Sequence, residues 1–468
     1  MTDLAPQASP ARLSPLDGLV RPFLGLWRSP RPLWAVYLTS LTEGFVYFGM
    51  LIYLAMYFNE YGGLGDLHAG WMVGTLTSGI TLSMLFFGGS TDRWGLRRTL
   101  LLSLLLMFLG RTVLALAPRL GLAAGSLGTP FIAVTLGGIL FIVTGYGMFT
   151  PAGYAAVRQF TTPASASMGY AMLYGVMNLG GWLPTFMSPI RQRWGIQGAY
   201  GFYAATTAAA FLACVALLGR KGTPVPPSLH PPGDPLGGEI PAQEALRAPS
   251  GPLAGLGHWL RNHPLADLKF ACFIFTLVPV QTLFAYNWLV LPQYVNRAFA
   301  GTWVGARFEA ATSLNSLLVF LLCPVVAALT ANTRVYPMMI LGTALMGAPT
   351  FFLALGPTVP GLLAFIILMT VGEAIWQPRF LQYAAEIAPQ GRTGAYMGVA
   401  QFPWFLTKMV VPVYSGAALA RWCPDPSRGV LNTTPMWLIF GGVAMLTSVL
   451  LVLARGWLGK DLKRASAN

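Results

Sequence analysis

The sequence predicts an all-α membrane protein with twelve transmembrane helices in two six-helix bundles. Three observations carry that prediction. Of 468 residues, 55% are apolar and only 9% are charged, whereas a soluble domain carries roughly 25% charged residues. Apolar runs of about 20 residues recur along the chain, each long enough to cross a hydrocarbon core roughly 30 Å thick. These runs fall into two sets of six, separated by one Pro- and Gly-rich stretch.

The first set of spans is expected near 33–58, 69–89, 99–117, 130–156, 167–189 and 197–218. The second set is expected near 266–291, 308–330, 335–355, 358–386, 393–420 and 435–458. Between them, residues 219–264 read "GTPVPPSLHPPGDPLGGEIP" over their first half. Such a composition cannot bury enough apolar surface to fold alone and reads as a flexible linker. The division is therefore an N-terminal segment (1–32), a first bundle (33–218), the linker (219–264), a second bundle (265–458) and a tail (459–468). Pro151, Pro184, Pro279, Pro324, Pro378, Pro403 and Pro412 fall inside spans and should bend them. The N-terminal segment is polar and basic and lacks the apolar core of a removable signal peptide.

Charge sets the orientation. The balance of 29 Lys+Arg against 15 Asp+Glu gives +14, which in a soluble protein would suggest nucleic acid. Here the basic residues sit in short connections between apolar runs, where topology explains them. They concentrate in the N-terminus, the 90–98 loop, the linker and the tail, which places both termini in the cytoplasm of a cell (inner or plasma) membrane. The four Cys form no CxxC or paired framework, and all four His lie outside the spans. No metal, cofactor or catalytic cluster is therefore expected, and the chain does not read as an enzyme. The expected partners are the lipid bilayer, a small-molecule substrate and protons, with the chain acting as a monomer.

The loop "GGSTDRWGLRRTL" joins the second and third spans. Gly88 would let two helices approach closely, and Gly95 would permit a tight turn. Asp92 could meet a helix N-terminus or a facing arginine, while Arg93, Arg97 and Arg98 hold the loop at the cytoplasmic face. In spacing and residue type the loop is similar to the cytoplasmic loop motif of the major facilitator superfamily. That resemblance implies two bundles that rock about a central site, with Gly88, Asp92, Arg93, Gly95, Arg97 and Arg98 as a conformational latch.

Four further segments resemble the proton-coupled oligopeptide transporters. They are "EGFVYFGM" from Glu43, "YGVMNLGG" from Tyr174, "SLNSLLVFLLCP" from Ser313 and "GEAIWQP" from Gly372, the last continued by "APQGRTGAYMG" from Ala388. They occur in that family's order. Two positions depart from its pattern: Gly44 stands where the family has an arginine, and Thr150 where it has a lysine. The resemblance makes those missing cations part of the proton-coupling and carboxylate-binding set. Either coupling is arranged differently here, or the substrate is not an ordinary peptide.

Charges inside a bilayer are costly, so each one is a candidate for function. Glu43 lies mid-span with Tyr47 one turn away; it reads as a proton-coupling carboxylate or as a structural hydrogen-bonding group. Glu373 matches the family residue that binds a peptide's amino end, which makes it a candidate for both substrate binding and proton coupling. The alternative is a structural pair with Lys408 or Arg379. Lys408 could replace the lost cation as a carboxylate partner, or snorkel to the membrane edge. Asn178 and Asn315 hold matched positions in spans 5 and 8, and with Tyr47 and Tyr146 they complete the candidate substrate contacts. Tyr174, Tyr286, Trp376 and Trp404 could line the same cavity or simply pack. The expected function is secondary active transport of a small solute, a peptide or peptide-like compound, by alternating access with proton coupling. A facilitator exporter or uniporter of another metabolite or drug is the alternative, with a membrane enzyme or channel behind it.

Overall fold

A computed structural model describes residues 30–87, 90–161, 163–218, 264–330, 333–387, 399–400, 402–425 and 429–458. The expected linker (but for residue 264), the N-terminal segment (but for residues 30–32) and the tail lie outside these residues, as do Gly88 and the whole "APQGRTGAYMG" segment. Every element among the described residues is helical. In chain order the long helices are α1 (Arg31–Glu60), α2 (Asp66–Phe87), α3 (Leu96–Leu116), α4 (Pro130–Phe160), α5 (Pro163–Trp182) and α6 (Ser188–Leu217). They continue as α7 (Leu268–Leu289), α8 (Phe308–Leu329), α9 (Val335–Gly347), α10 (Val359–Ile387), α11 (Phe402–Trp422) and α12 (Thr434–Leu453). Helices thus lie at each expected position, and eight segments are long and apolar enough to cross a membrane. The chain is an integral membrane protein.

The differences from expectation lie at helix ends and have local causes. Span 5 does not run unbroken to 189: α5 stops at Trp182, and Leu183–Met187 around Pro184 form a 3₁₀ turn. Proline lacks the N–H that would continue the ladder. Helix α6 starts earlier than expected but breaks at Gly195, whose φ of 68° favours glycine. The ninth span is interrupted beside Pro349 and resumes as a short helix, Thr350–Ala354. The connection after α7 holds two further helices, Leu291–Ala298 and Trp303–Ala306. The first buries Leu291, Tyr294 and Val295 beneath the bundle end.

Within the first half, α3 packs on α4 and α6, α2 on α4, and α1 on α5 and α6. Within the second, α9 packs on α10, α7 on α11 and α12, and α8 on α10. The halves meet where α2 lies on α11 and α5 lies on α8. One crossing explains a departure noted in the sequence. At Gly44 a Cβ would stand 2.2 Å from the Met177 carbonyl oxygen of α5, and at Gly180 one would stand 2.1 Å from the Leu41 carbonyl oxygen of α1. No side chain fits at either place, so an arginine at position 44 is excluded by packing.

Candidate functional site

Three groups of charged side chains lie among the helices, and they differ in how completely they are paired. The first is buried inside the first half. Arg111 of α3 grips Glu43 of α1 with two bonds, Nη1 to Oε1 at 2.9 Å and Nη2 to Oε2 at 2.6 Å. The Tyr146 hydroxyl of α4 donates to Glu43 Oε2 at 2.8 Å and accepts from Arg111 Nη2 at 3.1 Å. Thr207 of α6 accepts from Nη1, and Met50 Sδ lies 3.4 Å from Nε. Glu43 and Arg111 are 1% and 0% exposed. Tyr47 packs edge-on against Tyr146 with ring centres 5.2 Å apart. The sequence reading missed Arg111, although a single arginine in the apolar run "LLLMFLGRTVLAL" was the available signal. It supplies from α3 the cation that cannot be placed at Gly44.

The second group lies in the second half. Glu373 of α10, 3% exposed, accepts from Asn315 Nδ2 of α8 at 3.0 Å. Asn315 Nδ2 also reaches Thr370 Oγ1 at 2.9 Å, and its Oδ1 accepts from Asn287 of α7 at 3.4 Å. No cation pairs with Glu373 among the described residues. Of the two expected partners, Arg379 donates to the Thr330 carbonyl and hydroxyl at the end of α8. The other, Lys408 of α11, holds its Nζ 5.0 Å from the centre of the Trp404 ring and makes no ion pair with any described residue. Asn178 does not join Asn315. Its Nδ2 donates back to the Tyr174 carbonyl at 3.0 Å within α5. Tyr286 packs as core, its ring 4.1 Å from that of Phe440.

The third group joins the two halves at the bundle end away from the termini. Asp66, at the start of α2, receives both Arg297 Nη1 and Nη2 at 2.8 Å, and Arg297 also donates to the Cys423 carbonyl at 2.8 Å. Burial alone would lower the Arg297 pKa, but the hydrogen bonds and charge of Asp66 outweigh it and raise it, so this cation stays ionised. Glu309, at the start of α8 and 0% exposed, accepts from Tyr53 at 2.9 Å, Ser188 at 2.8 Å and Arg191 Nε at 2.5 Å. Each pair takes its acid from one half and its base from the other. Beside them opens a cavity of about 710 Å³, lined by both halves through Glu60, Asp66, Arg191, Gln192, Gln293 and Arg297.

The expected latch loop lies at the opposite end. Gly95 has φ 78° and leads into α3, as the expected tight turn requires. Arg97 Nε donates to the Leu218 carbonyl at the end of α6, at 3.0 Å, and so binds within its own half. Arg93 and Arg98 are exposed, and Asp92 belongs to the short helix Ser90–Trp94.

The family model described as the Major Facilitator Superfamily matches residues 63–412. No curated protein matches the chain by sequence. Among solved structures, the peptide transporter POT in complex with sulfate is 18% identical, with a TM-score of 0.68 over 92% of this chain and 96% of its own. The POT family transporter PepTSo is 18% identical, with a TM-score of 0.66 over 92% of this chain and 99% of its own. A POT family transporter in complex with 5-aminolevulinic acid is 16% identical, with a TM-score of 0.67 over 92% and 97%. At these identities the likeness shows the fold, and it agrees with the two-half packing of α1–α12. With three quarters of its length matched by the family model, the chain belongs to the Major Facilitator Superfamily.

Proposed function

We propose that this protein is a secondary transporter carrying a small peptide-like solute across a cell membrane by alternating access. The observation that carries the reading is Glu373. It is a buried carboxylate with no cation beside it among the described residues, held by Asn315 where α7, α8 and α10 meet. An uncompensated charge at that depth is costly unless a ligand or a proton completes it. The similar structures support the substrate class, since one is described as a peptide transporter and another as a POT family transporter in complex with 5-aminolevulinic acid.

In this reading residues 33–218 and 265–458 are the two rocking bundles, and 219–264 is the cytoplasmic linker between them. Charge in the connections supports cytoplasmic termini. The Asp66–Arg297 and Arg191–Glu309 pairs then lie on the outer side and hold that side shut, so the protein is inward-facing. The Gly88–Arg98 loop is the latch of the opposite state. Glu43 is committed to Arg111 and Tyr146, so coupling falls to Glu373. The transporter works as a monomer.

Uptake into proteoliposomes with an imposed pH gradient tests this. Glu373→Gln should remove the dependence of uptake on the proton gradient, whereas Glu43→Gln should lower the amount of folded protein. Retained proton dependence in Glu373→Gln would take that residue out of the coupling.

A further inference from the structure

We infer that the cavity at the bundle end away from the termini binds a small alkylammonium cation, and that its occupancy holds the two halves together there. The site is separate from the Glu373 region, and its capacity to bind stands without the transport reading. At about 710 Å³, the cavity falls within the range of small-molecule sites, roughly 300–1,000 Å³. Its walls come from the end of α1 and the starts of α2 and α6 in the first half. The second half supplies the helix Leu291–Ala298 and the end of α11.

Most hydrogen-bond donors on these walls are already spent. Arg297 gives both Nη atoms to Asp66 and one of them also to the Cys423 carbonyl. Arg191 donates to Glu309 and to the Ala306 carbonyl, which also accepts from Gln192. Asn59 Nδ2 donates to the Leu64 carbonyl at 2.9 Å and to Asp66 Oδ1 at 3.1 Å. Two acceptors facing one end of that amide fix its orientation, so the other end is the oxygen. The acceptors, in contrast, are not spent. Asn59 Oδ1 has no hydrogen-bond partner among the described residues, and neither has Gln293 Oε1, on a residue 2% exposed. A buried acceptor without a partner is costly and calls for a donor from water or a ligand. Glu60 also lines the cavity, is exposed, and makes no ion pair with any described residue.

Charge points the same way. Glu60, Asp66 and Asp425 line the cavity against Arg191 and Arg297, and Glu309 stands behind Arg191, which makes four acids to two bases. The neighbouring Arg193, Arg307 and Arg421 do not line it and lie over the rings of Trp194, Trp303 and Trp422. Among the described residues no three His, Cys, Asp or Glu side chains are grouped to hold a metal ion. The negative charge is therefore spread along the cavity instead of converging on a point. A primary ammonium, with three N–H donors on a carbon chain, suits spread acceptors, and Met56 and Ile196 offer that chain an apolar wall. Asn59 and Glu60 belong to the first half and Gln293 to the second. A ligand that joins them favours the arrangement in which the halves meet.

The test adds butylammonium to the full-length protein in detergent, with tetramethylammonium, butanol, sodium and calcium as controls at matched ionic strength. Two quantities are read: the midpoint of thermal unfolding, and the rate at which a thiol reagent labels Cys423, which is buried and whose carbonyl accepts from Arg297. For labelling, the other three cysteines are replaced by alanine. Butylammonium in the millimolar range should raise the midpoint. At about ten times its dissociation constant it should slow labelling about tenfold, because a ligand confined to the closed form cuts the open fraction by that factor. Glu60→Gln should weaken binding by about tenfold or more, the least expected from losing a charge-assisted hydrogen bond, and Gln293→Leu by a smaller factor. Both variants keep the Asp66–Arg297 and Arg191–Glu309 pairs. No response to butylammonium, or wild-type affinity in either variant, overturns the proposal. An equal response to tetramethylammonium or butanol does so too, and an equal response to sodium or calcium replaces the ammonium site with a metal site. Binding without slower labelling overturns the link to closure. None of these outcomes bears on Glu373 or on transport.

Discussion

The two halves of the molecule handle buried charge in opposite ways. In the first half, one arginine and one glutamate meet in a bidentate pair, and the Tyr146 hydroxyl and Thr207 close the remaining valences. In the second half, a glutamate and a lysine stand apart, one on an asparagine and the other on an indole. A completed pair has little to gain from a ligand and serves to bind α1, α3, α4 and α6 together. An incomplete pair is where a ligand changes the energy most. In the transport reading proposed above, this difference gives structure to the first half and recognition to the second.

The comparison breaks first at Arg111. Removing one member of a buried pair leaves a bare charge, at a cost of about 3–5 kcal/mol, whereas replacing both with apolar residues is often neutral. Arg111→Leu should therefore abolish folded protein in detergent, read by size-exclusion chromatography and thermal unfolding. Glu43→Leu combined with Arg111→Leu should recover most of it. If the double variant folds but loses transport entirely, Glu43 and Arg111 act in transport as well as in folding, and the division between halves fails.

Next in size are the latches between the halves. In the proposed inward-facing reading, Asp66→Asn and Glu309→Gln each weaken one charged contact that holds the outer end closed. Loss of a charge-assisted contact of about 1.5–3 kcal/mol should shift the population toward the open end by roughly tenfold or more. Native Cys423 reports that shift, since it is buried and its carbonyl accepts from Arg297. With Cys214, Cys272 and Cys323 replaced by alanine, an impermeant thiol reagent applied from the outer side should label Cys423 faster in both variants. Equal labelling would mean that packing of α2 on α11 and α5 on α8 holds the end closed without the ion pairs.

Legibility in the sequence followed the range of the interactions. Hydropathy depends on local composition, so the positions of α1–α12 could be read from it, and the 90–98 loop identified the superfamily because its motif is contiguous. Glu43, Glu373 and Lys408 were legible as candidates because a charge in an apolar run stands out alone. Their partners were not, because pairing is a property of three-dimensional packing. Arg111 is 68 residues from Glu43, and Asp66 is 231 from Arg297. Gly44 shows the same limit. In the sequence it reads as a missing cation, and only the crossing with α5 reveals a place where no side chain fits.

The smallest expected effect separates two residues that the sequence treated as equals. Asn178 and Asn315 hold matched positions in α5 and α8, yet Asn178 donates to a carbonyl of its own helix while Asn315 joins Asn287, Thr370 and Glu373. A bond within one helix is worth about 0.5–1.5 kcal/mol, and Asn178→Ala leaves the carboxylate site assembled. Its midpoint of thermal unfolding should fall only slightly, and its substrate preferences should stay those of wild type. Asn315→Ala strips the one hydrogen bond that the structure gives Glu373, so it should change both the proton dependence of uptake and the preference for a free amine. If Asn178→Ala were to alter those preferences as strongly, the recognition surface would extend across the interface onto α5. The first half would then share in binding.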